Sequence, residues 1–309
     1  MAKVTVVGAG NVGATCAQRI VEKDLADVVL LDVVEGMPQG KALDIMQSAP
    51  VEGFSSAIIG TNDYADTKDS DVVVITAGLA RKPGMSRDDL LAKNTAIVAE
   101  IAVNVARFSP HSIIIVVTNP LDVMTYVAYK KSGFDAQRVI GMAGILDSAR
   151  FRYFLSQELD CKPEEVAALV LGGHGDTMVP LAGHITYDDK PVQDKLAQDI
   201  LDRLIERTRN GGAEIVALLK SGSAYYAPSS SAVAMVKSVL GDERLTYPCA
   251  AYLSGEYGLN DLYFGVPVIL GKKGIHKIVE LPLTEQEQKS LLSSAVSVRE
   301  MIDKVKKLI

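Results

Sequence analysis

Cysteine, tryptophan, basic charge and long apolar runs are all scarce in this chain of 309 residues. Its three cysteines, Cys16, Cys161 and Cys249, are odd in number and widely spaced. That pattern fits neither a disulfide framework nor a metal-ligand spacing. No metal is expected, the compartment is expected to be reducing, and the thiols read as small apolar filler. The most apolar short run, Ile113 to Val117, falls far below the roughly 18 residues of a membrane helix, so no membrane partner is expected. Acidic residues outnumber basic ones, 38 to 32, for a net charge of −6. Without a basic stripe, nucleic acid is not an expected partner. Tryptophan is absent, and no repeat or low-complexity segment is present. No secretory signal is expected ahead of the first motif, which begins by residue 8, and the expected location is cytoplasmic.

What is present is alternation. Lys3 to Val7 is a short β-branched run leading into Gly8-Ala9-Gly10-Asn11-Val12-Gly13. A helical pattern follows, with Cys16, Ala17, Ile20 and Val21 on one face, and then a second apolar run, Val28 to Leu31, that ends in Asp32. Strand, glycine turn, helix, strand and acid together form a dinucleotide-binding unit. The first glycine permits the tight turn and the second lets backbone approach a pyrophosphate. The third lets the helix pack against the sheet, while the helix N-terminus attracts the phosphate charge. Asp32 is placed to bind the adenosine ribose hydroxyls. Its carboxylate would repel a 2′-phosphate, and Val33 and Val34 offer no offsetting cation, which favours NAD over NADP.

Asp71 to Ile75 and Ile113 to Val117 read as buried parallel strands. Between them Leu91, Ile97, Val98, Ile101 and Val105 share a helix face. The fold class is therefore α/β, a doubly wound parallel (Rossmann) sheet domain over residues 1–144. An α+β substrate domain over residues 145–309 follows a break at Gly141-Met142-Ala143-Gly144. Ligands gather at the carboxyl ends of such strands, here Thr76-Ala77-Gly78 and Thr118-Asn119-Pro120. The loop from Leu79 to Asp88 holds Arg81, Lys82 and Arg87. It reads either as a solvated surface loop or as a lid that brings arginines onto an anion. The isomer of the Asn119-Pro120 bond is not legible.

Histidine is also scarce, with four in the chain. His174 lies in the glycine-rich turn Leu171-Gly172-Gly173-His174-Gly175-Asp176-Thr177. Asp147 and Arg150 are three apart and share a helix face. They form either a local ion pair or a division of labour, in which Asp147 orients the histidine and Arg150 grips a substrate carboxylate. Spacing alone decides for neither. His111, His184 and His276 have no comparable neighbours.

These signatures, Gly8-Ala9-Gly10-Asn11-Val12-Gly13, Thr118-Asn119-Pro120, Asp147-Ser148-Ala149-Arg150 and Gly173-His174-Gly175-Asp176, occur in an order that resembles the lactate/malate dehydrogenase family over nearly the full length. The resemblance implies reversible hydride transfer between NAD and a 2-hydroxy acid. It casts His174 as acid and base, with Asp147 as its orienting partner. Arg150 would hold the α-carboxylate, Arg87 would polarise the carbonyl, and Asn119 would lie near the reacting oxygen. Ser223 would line the substrate pocket. Cofactor contacts are expected from Gly8, Gly10, Asn11, Val12, Gly13, Asp32, Thr76, Ala77, Gly78, Asn94, Val117 and Asn119. Arg81 stands where malate-type members carry arginine and lactate-type members carry glutamine, so the expected substrate is the dicarboxylate pair malate and oxaloacetate. A lactate or other 2-hydroxy acid dehydrogenase is the nearest alternative, and a non-catalytic NAD-binding protein is the alternative from another class. Arg152 matches the arginine of a sugar-bisphosphate site, but Ala167 stands where its histidine would be, so no such activation is expected. A homodimer or homotetramer is expected.

In the last third, Pro191 to Lys220 carries a helical pattern with Leu196, Ile200, Leu204 and Ile205 inward and a bend expected at Gly211-Gly212. Arg244 to Tyr252 and Leu262 to Leu270 read as strands. Thr284-Glu285-Gln286-Glu287 reads as a capping box opening a terminal helix, with Leu291, Leu292, Val296, Met301 and Val305 as core.

Overall fold

The structure, a computed structural model, describes residues 1–79, 84–192 and 195–309. The β-branched runs form β1 (Lys3–Val7), β2 (Asp27–Leu31), β3 (Ile58–Thr61), β4 (Val72–Ile75), β5 (Ile113–Val116) and β6 (Val139–Gly141). They pair in parallel in the spatial order 3-2-1-4-5-6. β4 and β5 are buried at every residue, as strands covered on both faces must be. The covering helices are α1 (Asn11–Glu22), α2 (Met37–Glu52), α3 (Arg87–Phe108) and α4 (Leu121–Ser132). Strand order reverses between β1 and β4, which opens a crevice at their carboxyl ends.

The second half begins with α5 (Gly144–Glu158). Five two-residue strands follow: β7 (Val166–Ala167), β8 (Val170–Leu171), β9 (Val179–Pro180), β10 (Thr186–Tyr187) and β11 (Lys190–Pro191). Then come α6 (Gln198–Leu219), α7 (Tyr226–Gly241), β12 (Leu245–Ser254), β13 (Asn260–Gly271), β14 (Gly274–Ile278) and α8 (Glu285–Val305). Phe151, Leu155, Val166, Ile185, Leu201 and Leu204 form a small core of their own. β12 to β14 do not form a separate sheet. They continue the parallel one, antiparallel, through the pair Ala250–Gly141. The joint requires a glycine, because a Cβ on Gly141 would lie 2.7 Å from both the Ala250 methyl and the Thr125 hydroxyl.

Several expectations are corrected. α6 starts at Gln198, not near Pro191, and runs unbroken through Gly211-Gly212. The glycine pair serves packing instead, since a Cβ on Gly211 would sit 3.2 Å from Cδ of Arg150. The Thr284–Glu287 capping box is present, but Leu292 and Val296 of α8 face solvent, because the buried stripe runs through Leu291, Ala295, Val298, Ile302 and Val305. α2 and β3 carry too weak a periodicity to have been anticipated. Cys16 and Cys249 are fully buried, and burial raises both thiol pKa values, Cys16 to about 12, so neither is reactive at neutral pH. Cys161 is partly exposed.

Replacing Gly141 with alanine should lower stability by about 1–3 kcal/mol through overpacking at the joint. The urea midpoint measures this, and an unchanged midpoint would mean that the joint yields without strain.

Candidate active site

The glycine turn shows why each glycine is needed. Gly8 has φ +103, and a Cβ there would lie 2.6 Å from the Ala77 backbone nitrogen. A Cβ on Gly13 would overlap the Gly8 carbonyl oxygen. Gly10, by contrast, faces open space, which is where a ligand's phosphates would need room. The first turn of α1 carries no acidic side chain, so nothing offsets the positive end of its dipole. Asp32 closes the turn, with Oδ2 accepting from the Ala9 N–H at 2.6 Å and Oδ1 from the Val34 N–H at 2.9 Å. Beside it lies a cavity of about 390 Å³, lined among others by Gly8, Gly10, Asp32, Thr76, Ala77 and Gly78. Asn11 is exposed at the first position of α1.

Side chains tie the strand ends together. Thr76 Oγ1 donates to the Val7 and Gly8 carbonyls, and Thr118 Oγ1 to that of Ala77. The Asn94 carboxamide accepts from the Leu79 N–H and donates to the Asn119 carbonyl at 2.8 Å. Asn94 is buried, and its amide holds the cleft wall. The Asn119-Pro120 bond is cis.

A second cavity, about 330 Å³, lies at the sheet's end. Val12, Val117, Asn119, Arg150, His174 and Ser223 are among its lining residues. The nucleotide turn, the β5 end, α5 and the histidine loop therefore converge. His174 Nδ1 lies 2.8 Å from Asp147 Oδ2, and Arg150 lies 3.4 Å from the other carboxylate oxygen. Asp147 thus pairs with Arg150 and meets the His174 ring at once. Asp147 is almost wholly buried, so the pair is no solvated surface bridge. Arg150 keeps a buried Nε without a partner among the described residues. Burial lowers its pKa against the opposing pull of Asp147. For His174, burial is the largest single influence and lowers the pKa, but the Asp147 charge and hydrogen bond, with Asp122 behind them, outweigh it. The net direction is upward.

Other placements differ from this cluster. Arg87 is exposed at the start of α3, where Ser86 and Asp89 form a capping box, and does not line the cavity. Arg81 lies outside the described residues. His184 faces the Pro282 carbonyl, and His276 shares Asp242 with Arg244 at a partly exposed site. Arg152 donates to the carbonyls of Val166 and Pro163.

The family profile described as lactate/malate dehydrogenase, NAD binding domain, matches residues 2–141, and the one described as the alpha/beta C-terminal domain matches residues 145–309. The chain belongs to the lactate/malate dehydrogenase family. A malate dehydrogenase of Chloroherpeton thalassium is 56% identical over 98% of each chain. The apo malate dehydrogenase structure from Picrophilus torridus superposes with a TM-score of 0.97 at 45% identity, over 99% of this chain and 98% of that one. A lactate dehydrogenase from Cryptosporidium parvum, complexed with lactic acid and NAD, superposes at 0.95 with 42% identity over 99% and 98% of the two chains. Backbone shape within the family thus does not separate the two substrates, and side chains must.

The motifs left some supporting residues unread. Lys41 of α2 donates to the Ala9 carbonyl at 2.6 Å, and Ser229 of α7 to that of Val12 at 2.8 Å. Ser294 of α8 accepts from the Gly173 N–H, and Asp122 of α4 from the His174 N–H. Asp122 did carry a signal, a lone acid among the apolar residues from Leu121 to Tyr129.

Substituting Asp147 by asparagine should lower the His174 pKa, because it removes the largest influence raising it while burial remains. Titration of the imidazole by NMR in the substrate-free protein reads this directly. An unmoved titration would show that the contact does not govern the ring.

Proposed function

We propose that the protein interconverts (S)-malate and oxaloacetate as an NAD-dependent dehydrogenase, with residues 1–144 binding the dinucleotide and residues 145–309 the substrate. The observation that carries this reading is the His174–Asp147–Arg150 cluster, whose histidine and arginine line a cavity that also takes Val12 of the nucleotide turn. The cleft suits a dinucleotide, given the open space at Gly10, the uncompensated α1 N-terminus and the Asp32 carboxylate. The same carboxylate disfavours a 2′-phosphate, so NAD is the cofactor of choice. NAD, when bound, supplies the hydride acceptor or donor.

The chain's own groups do the rest. Gly8, Gly10, Asn11, Val12 and Gly13 line the dinucleotide, and Thr76, Ala77, Gly78, Val117 and Asn119 flank it at the strand ends. Arg150 receives the α-carboxylate through its unpaired donors. Asp147 holds Nδ1–H, which leaves Nε2 free to exchange a proton with the substrate oxygen. In the oxidative direction neutral His174 accepts the hydroxyl proton; in the reductive direction protonated His174 returns it. Asn119 and Ser223, which line the cavity, border the substrate, and Arg87, outside the cavity here, takes by family resemblance the role of steadying the negative oxygen. Arg81 selects the dicarboxylate. The distal carboxylate of oxaloacetate needs a cation in a closed site, whereas pyruvate would leave that cation unpaired.

The same reading places the enzyme in the tricarboxylic acid cycle and in the cytoplasm. It also makes it a homodimer or homotetramer, supported by the exposed Leu43 and Val51 of α2 and Leu218 and Leu219 of α6.

NADH oxidation with oxaloacetate and pyruvate side by side tests the reading. Oxaloacetate should be favoured by about 100-fold or more in kcat/KM, and Arg81→Gln should shift the ratio towards pyruvate. A preference for pyruvate would overturn the assignment of Arg81 while leaving the histidine chemistry in place. The pH profiles carry a second expectation. Oxidation needs neutral His174, so kcat/KM for malate should rise with pH through a midpoint above the ordinary histidine value. Reduction needs the protonated ring and should fall through the same midpoint. A midpoint below the ordinary value would contradict the role given to Asp147.

A further inference from the structure

The His174 loop is held by its backbone as well as by its ring. Gly172 pairs with Gly265 of β13, with N–H to O distances of 2.9 and 3.2 Å in the two directions. The Gly173 N–H donates to Ser294 Oγ at 2.9 Å, and the His174 N–H donates to Asp122 Oδ2 at 2.8 Å. The last contact differs from the others because its acceptor is a buried carboxylate. Asp122 is 3% exposed, and its Oδ1 has no partner among the described residues. A hydroxyl or a carboxamide would accept the same N–H without placing a charge in the interior, and an interior charge is costly. Two carboxylates, Asp122 and Asp147, are thus buried beside His174, and Arg150 pairs with one of them.

We infer that Asp122 is a positioning residue: it fixes the backbone of His174 and adds a second buried negative charge to the His174–Asp147 pair. The inference rests on the proposed role of His174 in proton transfer. The charged groups facing the pair are Asp147 and Arg150 from α5, with Arg209 from α6 and Asp176 from the loop lining the same cavity. α8 contributes the uncharged Ser294. Burial pushes the Asp122 carboxyl up to about 6, and the hydrogen bond from the His174 N–H pulls the other way. In its ionised form it favours a protonated imidazole, in the same sense as Asp147.

Asp122→Asn separates charge from geometry. The side-chain oxygen still accepts the His174 N–H, and the amide nitrogen replaces an atom that had no partner. Asp122→Ala removes both. In the substrate-free protein, the NMR titration of His174 should move to lower pH in D122N. The rise of malate oxidation and the fall of oxaloacetate reduction should move down together with it. At pH 8, reduction by D122N should drop about 3- to 10-fold in kcat/KM. D122A should lose at least a further tenfold, since the loop N–H is then unpaired. An unmoved His174 titration in folded D122N would overturn the charge role. Equal losses in D122N and D122A would overturn the backbone role. Because the titration needs neither substrate nor turnover, it stands even if oxaloacetate proves to be the wrong substrate.

Discussion

The contact between His174 Nδ1 and Asp147 Oδ2 is the constraint on which the rest of the structure bears. The two residues are 27 apart in sequence and lie on unlike elements, a glycine turn and the first helix of the second half. A 2.8 Å hydrogen bond between them leaves little freedom in either. The helix is fixed by packing, with Phe151 and Leu155 buried beneath it in the smaller core. The turn has no core of its own, and neighbouring side chains and strands hold it at Gly172, Gly173 and His174 in succession. A ring that must present one nitrogen to a substrate is oriented this way by several weak restraints acting on consecutive residues.

The same logic runs through the nucleotide cleft. Its shape comes from what cannot be there: side chains at Gly8 and Gly13, and a negative charge in the first turn of α1. The three side-chain ties at Thr76, Thr118 and Asn94 then bind the ends of β1, β4 and β5 into one edge. The sheet beyond that edge continues into β12 and β13, so β13 can reach across to pin Gly172. Fold and site are thus mechanically continuous, and Gly141 at the joint belongs to both.

Much of this was legible in the sequence because the continuous β-branched runs and the glycine turn are local signals. β1, β2, β4, β5, α1 and α3 follow from such signals, and so does the capping box of α8, whereas the roles of Asp147, Arg150 and His174 came from the family resemblance. What was not legible depends on contacts distant in sequence. The Gly211-Gly212 pair looks like a helix break to any local rule, yet it is spacing for Arg150, 61 residues earlier in the chain. Leu292 and Val296 fit a helical stripe only if its phase is known, and the phase is set by what α8 packs on. Asp122 reads as one more acid near a helix start, and its meaning depends on the backbone of a residue 52 positions away. Of the arginines given roles in the 79–88 loop, Arg81 lies outside the described residues and Arg87 stands exposed at the start of α3.

Charge counting links protonation to substrate on the proposed reading. With His174 neutral, the buried Asp122 and Asp147 outnumber the Arg150 beside them, while Arg209 and Asp176 on the cavity wall offset each other. Protonating the ring brings that count to zero. An incoming oxaloacetate sets its α-carboxylate beside Arg150 and its second carboxylate beside the cation proposed for it, so it binds best when the ring is already protonated, and by linkage its binding raises the proton affinity of the ring. Malate oxidation needs the opposite state, a neutral ring beside a hydroxyl, and the two buried carboxylates work against it. An arrangement that used Asp147 alone would leave the ring easier to deprotonate and the groove less selective between the keto acid and the hydroxy acid. The second carboxylate therefore biases the site towards holding a proton ready for the carbonyl. It does so at a cost in stability, since a carboxyl pushed up to about 6 is one whose ionisation opposes folding as pH rises past the usual carboxylate range.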